Sequence, residues 1–117
     1  MSRNPREMLN EFVGGLDQVG EESPEFVGSF MGLLGAAYQE GALSVKVKEL
    51  MSVAIGAYNR CEYCIVYHVY KAFEAGATKE EIMEAAQVAV AFGGGPSMAF
   101  TVSLVKESIA EFEKDFQ

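Results

Sequence analysis

Apolar side chains return every three or four positions along nearly the whole chain, and no segment alternates with a period of two over a useful length. That pattern predicts helices and no sheet. Met8, Phe12, Leu16 and Val19 make the first stripe, widened by Leu9 and Val13, and Asn4 followed by Pro5 is a helix-start signal. Ser23 with Pro24 repeats the signal. The stripe it opens runs through Phe26, Val27, Phe30, Met31, Leu34, Ala37 and Tyr38, with Gly41 placed to end it. Ser44 can cap a third helix through Glu49, Leu50, Val53, Ala54 and Tyr58, which stops at Asn59 and Arg60. A fourth begins near Cys61 and runs to about Ala75, with Gly76 at its C-terminal end. Thr78 and Glu81 have the spacing of a capping box and open a fifth helix through Ile82, Ala86, Ala89 and Val90. This helix loses its polar face after Gln87 and is expected to be buried on all sides. Val102, Val105, Ile109, Phe112 and Phe116 alternate by three and four as a C-terminal amphipathic helix. The fold class expected is all-α, a compact bundle of about six helices forming a single domain over residues 1–117.

Residues 85–105 carry no charge, a length that invites comparison with a membrane span. Gly93, Gly94, Gly95 and Pro96 interrupt it, and Gln87, Ser97, Thr101 and Ser103 are polar. Two helical pieces joined by a break are expected there, and no membrane association.

Composition narrows the function classes. Half of the 117 residues are hydrophobic, an excess for a small monomer that leaves apolar surface for a partner subunit. A net charge of -8 and the lack of any basic run argue against a nucleic-acid surface. Charges are spread through the N-terminal residues 1–16, with no apolar signal core, and two cysteines do not make a secreted disulfide framework. A cytoplasmic protein is expected.

Both cysteines and the single histidine fall within residues 61–68, as Cys61, Cys64 and His68. Positions three and four apart share a helix face, so the three line one side of the fourth helix. Cys61 would sit in the first turn, where free N–H groups and the positive dipole end favour a thiolate. His68 is one turn beyond Cys64 and can take its proton. Helix-start logic therefore selects Cys61 as the more acidic thiol, whereas the imidazole selects Cys64. Glu49 lies twelve positions ahead of Cys61. On one continuous helix it would point away by roughly 120°, but a reversal at Asn59 and Arg60 would fold it back beside the thiols.

With Glu49 ahead of the Cys-x-x-Cys pair and His68 after it, the sequence resembles the carboxymuconolactone decarboxylase superfamily, in its AhpD-like alkylhydroperoxidase branch. The resemblance covers roughly residues 42–100, through Lys48-Glu49-Leu50, the 61–68 motif, Glu74-Ala75-Gly76-Ala77-Thr78 and Phe92-Gly93-Gly94-Gly95-Pro96. It implies an all-helical homo-oligomer, trimeric or hexameric, whose dithiol reduces hydroperoxides. Cys64 would be the attacking thiolate, Cys61 the resolving thiol that closes a redox-active Cys61–Cys64 disulfide, and His68 with Glu49 a proton relay. No bound cofactor or metal is implied; an external lipoyl- or thioredoxin-type dithiol would restore the thiols. Tyr63 stands where the best-studied members carry a histidine. A phenol there can support the site by donating a hydrogen bond, but it is a poor proton shuttle near neutral pH.

Other readings predict different behaviour. A metal site would use Cys61, Cys64 and His68 with Glu49 as fourth ligand. A carboxymuconolactone decarboxylase-type lyase would not need the thiols and would need cations, of which Arg60 is the only one between Lys48 and Lys71. A non-enzymatic redox-sensing oligomer would use the disulfide as a switch. Tyr58, Tyr63, Tyr67 and Tyr70 read as core or pocket wall.

Overall fold

The computed structural model describes residues 3–117, so the first two positions of the N-terminal segment lie outside the described residues. The helices are α1 (Pro5–Glu22), α2 (Pro24–Ala37), α3 (Val45–Asn59), α4 (Glu62–Glu74), α5 (Lys79–Gly93), α6 (Gly95–Phe100) and α7 (Lys106–Phe112). A π-helical turn at Thr101–Val105 joins α6 to α7, and a 3₁₀ turn at Glu113–Phe116 follows. Counted with those turns, α6 and α7 are one rod, the sixth of an all-α fold.

Local chemistry explains most of the boundaries. The Asn4 side chain accepts from the backbone N–H groups of Arg6 and Glu7, with Pro5 at the first helical position. Ser44 Oγ accepts from Val47 N–H at 3.1 Å. Thr78 and Glu81 form the reciprocal capping box, at 3.1 and 2.9 Å. Two ends use the same reversal, in which a left-handed residue lets the next N–H reach back five positions. At the end of α4, Gly76 adopts φ 93° and Ala77 N–H donates to Ala72 C=O at 2.9 Å. At the end of α3, Arg60 adopts φ 56° and Cys61 N–H donates to Gly56 C=O at 3.0 Å. The second reversal folds α4 back along α3.

α3 packs against α4 and α5, and the last rod closes the bundle against α4 and α1. Val53 and Ala57, Ile65, Val66 and Val69, Ile82 and Ala86, and Val105 and Phe112 bring these elements into one buried core. Each fully buried Val, Ile or Phe contributes about 1.5–3 kcal/mol relative to leaving it in water.

Three expectations are corrected. α2 ends at Ala37 with Tyr38 as its cap, before Gly41, because Tyr38 turns its hydroxyl to Ser52 on α3. α2 contributes no fully buried residue, since its main partner is α1 and its apolar face otherwise meets solvent, with Phe26 72 % exposed. α5 is not enclosed after Gln87: its main partners, α3 and the last rod, leave Val88 and Phe92 exposed along with Tyr58 of α3. Val102 also falls outside the C-terminal stripe. Thr101 and Ser103 bond the carbonyls of Ser97 and Ala99, at 2.8 and 2.6 Å, within a rod that widens to a π turn. The wider turn changes the phase, so Val105, Ile109 and Phe112 face the core and Val102 faces out. Among the described residues no helix is long and apolar enough to cross a membrane.

Candidate redox site

Cys61 is the N-cap of α4. Its Sγ accepts from Cys64 N–H at 3.3 Å, so the helix start is satisfied by sulfur where a serine or aspartate commonly serves. Cys61 and Cys64 are joined as a disulfide, their Cα atoms 5.2 Å apart. Space for the pair comes from Gly56 of α3. A Cβ at that position would lie 3.2 Å from Cys64 Cβ and 3.3 Å from Ile65 N, so glycine allows α3 to run against the first turn of α4.

The same approach brings Glu49 to His68. Their side chains join through Oε1 and Nδ1 at 2.7 Å, with Glu49 buried to 3 % exposure and the imidazole largely covered. With the carboxylate ionised it can only accept; Nδ1 then donates and Nε2 is the nitrogen left to exchange a proton. Among the described residues Nε2 has no hydrogen-bond partner. The chain therefore folds Glu49 back onto the helix of the thiols, by the reversal at Arg60 described above.

Aromatic rings enclose the imidazole. Tyr38 stacks on it, with centroids 5.7 Å apart and planes 18° from parallel, and Tyr67 meets it edge-on at 5.1 Å. Phe12 of α1 backs Tyr67 at 5.2 Å. Burial pushes the Tyr67 phenol above its ordinary range, partly offset by the Lys71 cation, so the phenol stays protonated at neutral pH.

Tyr63 takes a different direction. Its hydroxyl bonds to Glu11, and Arg3 reaches both of them. It thus ties α4 to α1 instead of joining Glu49 and His68. The bonds from Tyr63 first, and Arg3 second, hold the Glu11 carboxyl below its usual range. Beside Tyr63, a cavity of about 440 Å³ between α1 and α2 is lined by Phe12, Leu16, Phe26, Val27 and Phe30. Among the described residues no group of three or more His, Cys, Asp and Glu side chains is placed to hold a metal ion.

The four residues singled out by spacing thus form two joined pairs on α3 and α4. Tyr38, Ser52 and Gly56 were not singled out. Tyr38 and Gly56 lie within ordinary amphipathic stretches, and only the folded contact reveals what they touch.

Comparison with known proteins bears on the family and the fold. Residues 24–107 match the model of the Carboxymuconolactone decarboxylase family, wider than the motif-bearing segment and including α2 and the start of α7. A protein of Cupriavidus necator is 30 % identical over 100 residues, spanning 86 % of this chain and 88 % of that one. The crystal structure of an apo carboxymuconolactone decarboxylase family protein from Legionella pneumophila superposes with a TM-score of 0.86 at 31 % identity, covering 99 % of this chain and 100 % of that chain. A Thermotoga maritima family protein, for which involvement in antioxidative response has been suggested, gives a TM-score of 0.71 at 33 % identity over 90 % of this chain and 94 % of its own.

Proposed function

We propose, from the premise that the chain belongs to the carboxymuconolactone decarboxylase family, that it is a dithiol peroxidase of the AhpD-like branch. The observation that carries this reading is the buried Glu49–His68 pair, which joins α3 to α4, the helix that carries the Cys61–Cys64 disulfide at its start. The suggestion of an antioxidative role for the Thermotoga maritima relative points the same way.

The pair as it stands is the oxidised end of the cycle. In the reduced form, the Cys64 thiolate attacks the terminal oxygen of a hydroperoxide. The O–O bond breaks, Cys64 becomes a sulfenic acid, and the departing alkoxide takes a proton from His68 Nε2. Glu49, on the far side of the ring, stabilises the imidazolium that precedes this transfer. The Cys61 thiol then condenses with the sulfenic acid, forming the disulfide and releasing water. A lipoyl- or thioredoxin-type dithiol restores both thiols by exchange and is itself oxidised. Such a reductant is available in the cytoplasm, where this reading places the protein. The apolar faces of α2 and α5 left open by a single chain fit a homo-oligomer, trimeric or hexameric.

The test is hydroperoxide consumption with dihydrolipoamide or thioredoxin as donor. Cys64→Ser is expected to reduce it to the uncatalysed background. Peroxide should convert the reduced native protein to a species lighter by two hydrogens, whereas Cys61→Ser should gain oxygen. Full turnover by Cys64→Ser would remove the mechanism, and turnover of a carboxylated lactone insensitive to thiol alkylation would favour the lyase.

A further inference from the structure

A hydrogen bond at one ring nitrogen does not by itself hold an imidazole. Small rotations about Cα–Cβ and Cβ–Cγ can still tilt the ring while Nδ1 stays within reach of Oε1, and each tilt aims Nε2 differently. At His68 the face of Tyr38 blocks that turning on one side, 5.7 Å away and 18° from parallel, and the edge of Tyr67 limits it on another. Tyr67 is itself backed by Phe12. Tyr38 is placed otherwise: it caps α2, a helix with no fully buried residue of its own.

What holds Tyr38 is its hydroxyl. It donates to Ser52 Oγ, and Ser52 Oγ donates onward to Lys48 C=O at 2.8 Å. Lys48 precedes Glu49 in α3. The tether therefore ends beside the residue that holds the opposite edge of the imidazole. Carboxylate, tether and stacked ring are referred to one stretch of one helix.

From this geometry we infer that Tyr38 is a positioning residue for His68, held in place by Ser52, so that the α2 cap fixes the plane of the imidazole while Glu49 fixes its proton. Tyr38 acts through the ring it covers and exchanges no proton with substrate. Its kinetic consequence rests on the dithiol-peroxidase reading; its spectroscopic consequence does not.

The single histidine makes the test direct. Nitrogen-15 labelling of histidine gives one pair of ring signals, read on the full chain as native protein, Tyr38→Phe, Ser52→Ala and Tyr38→Leu. The native protein should show one tautomer with Nδ1 protonated and ring protons displaced by the stacked phenol. Tyr38→Phe keeps the ring and loses the tether, as Ser52→Ala loses its acceptor; both should broaden the imidazole signals and reduce that displacement. Tyr38→Leu should abolish the displacement. Peroxide turnover should fall about fivefold in the first two, the loss of one ordinary hydrogen bond, with KM unchanged.

Native-like imidazole signals in all three folded variants would overturn the inference. It would equally be overturned if the amides of α1 and α2 shifted while the imidazole did not, because Tyr38 would then only anchor the hairpin. If the imidazole responds as expected in a protein that consumes no peroxide, the positioning role stands and the peroxidase reading falls.

Discussion

α3–α4 and α1–α2 are both pairs of consecutive, contacting helices with apolar stripes, yet the chain treats them differently. The first buries Glu49, Val53 and Ala57 against Ile65, Val66 and Val69, and carries the disulfide and the Glu49–His68 bond. In the second, α2 buries nothing completely, and Phe26, Phe30, Met31 and Leu33 are exposed. A hydrophobic stripe marks which face needs a partner; it does not say whether this chain supplies one. What separates the pairs is closeness of approach. Gly56 lets α3 contact α4 nearly backbone to backbone, while α1 and α2 leave a cavity of about 440 Å³ between their side chains.

The largest expected effect comes from removing that closeness. Gly56→Leu should push α3 away from the first turn of α4, where even a Cβ would sit 3.2 Å from Cys64 Cβ. Overpacking of this kind costs about 1–3 kcal/mol, and the displacement should also separate Glu49 from His68. Denaturant melts should show the loss, and the tautomer signal of His68 should change with it. Native stability in Gly56→Leu would mean that the two pairs do not differ in the way argued.

Next is the exposed face. Phe26→Ser with Leu33→Ser should change the stability of the single chain by less than about 0.5 kcal/mol, as expected for surface positions. If a second copy covers this face, sedimentation should show a smaller particle for the double variant while the Glu49–His68 pair stays intact. A large loss of stability with no change in particle size would instead make α2 part of the chain's own core.

The contrast also explains what could be read in advance. Helix positions followed from period and caps, and the Arg60 reversal was visible as a stop at Asn59 and Arg60 because the next helix restarts at once. Cys61, Cys64 and His68 stood out because the two cysteines and the single histidine fall at helical spacing within eight residues, and Glu49 because of its distance ahead of them. Enclosure of α5 was not legible: Val88 and Phe92 look like core residues whether their partner is this chain or another. Nor was the phase change at Thr101–Val105, because a π turn alters which residues face inward without altering composition. Tyr38 escaped for a related reason. It continued the stripe of α2, and its contact with His68 depends on a cap geometry that no local pattern encodes.

The smallest expected effect concerns how α1 is attached. Arg6 bonds Glu111 at 2.9 Å and grips both carboxylate oxygens of Asp115 at 2.8 and 2.9 Å, joining α1 to the end of the last rod. At its other side α1 is joined to α4 through Glu11, Tyr63 and Arg3. The bond from Arg6 holds Asp115 below the usual carboxylate range, and bonds from Lys114 first and Arg6 second do the same for Glu111. Glu11 is lowered as well. A carboxyl whose folded-state value is depressed adds stability that is complete above its unfolded value, about 4, and is lost as pH falls through the folded one. These groups are solvent-exposed, so their contribution is modest and screened by salt. The apolar contacts between α3 and α4 have no such dependence. Hydrogen exchange should therefore lose protection in α1 as pH falls below about 4 while α3 and α4 keep theirs, and Arg6→Met should remove much of that pH dependence. Equal loss of protection in both regions would show that α1 is bound to the core as firmly as α3 is to α4.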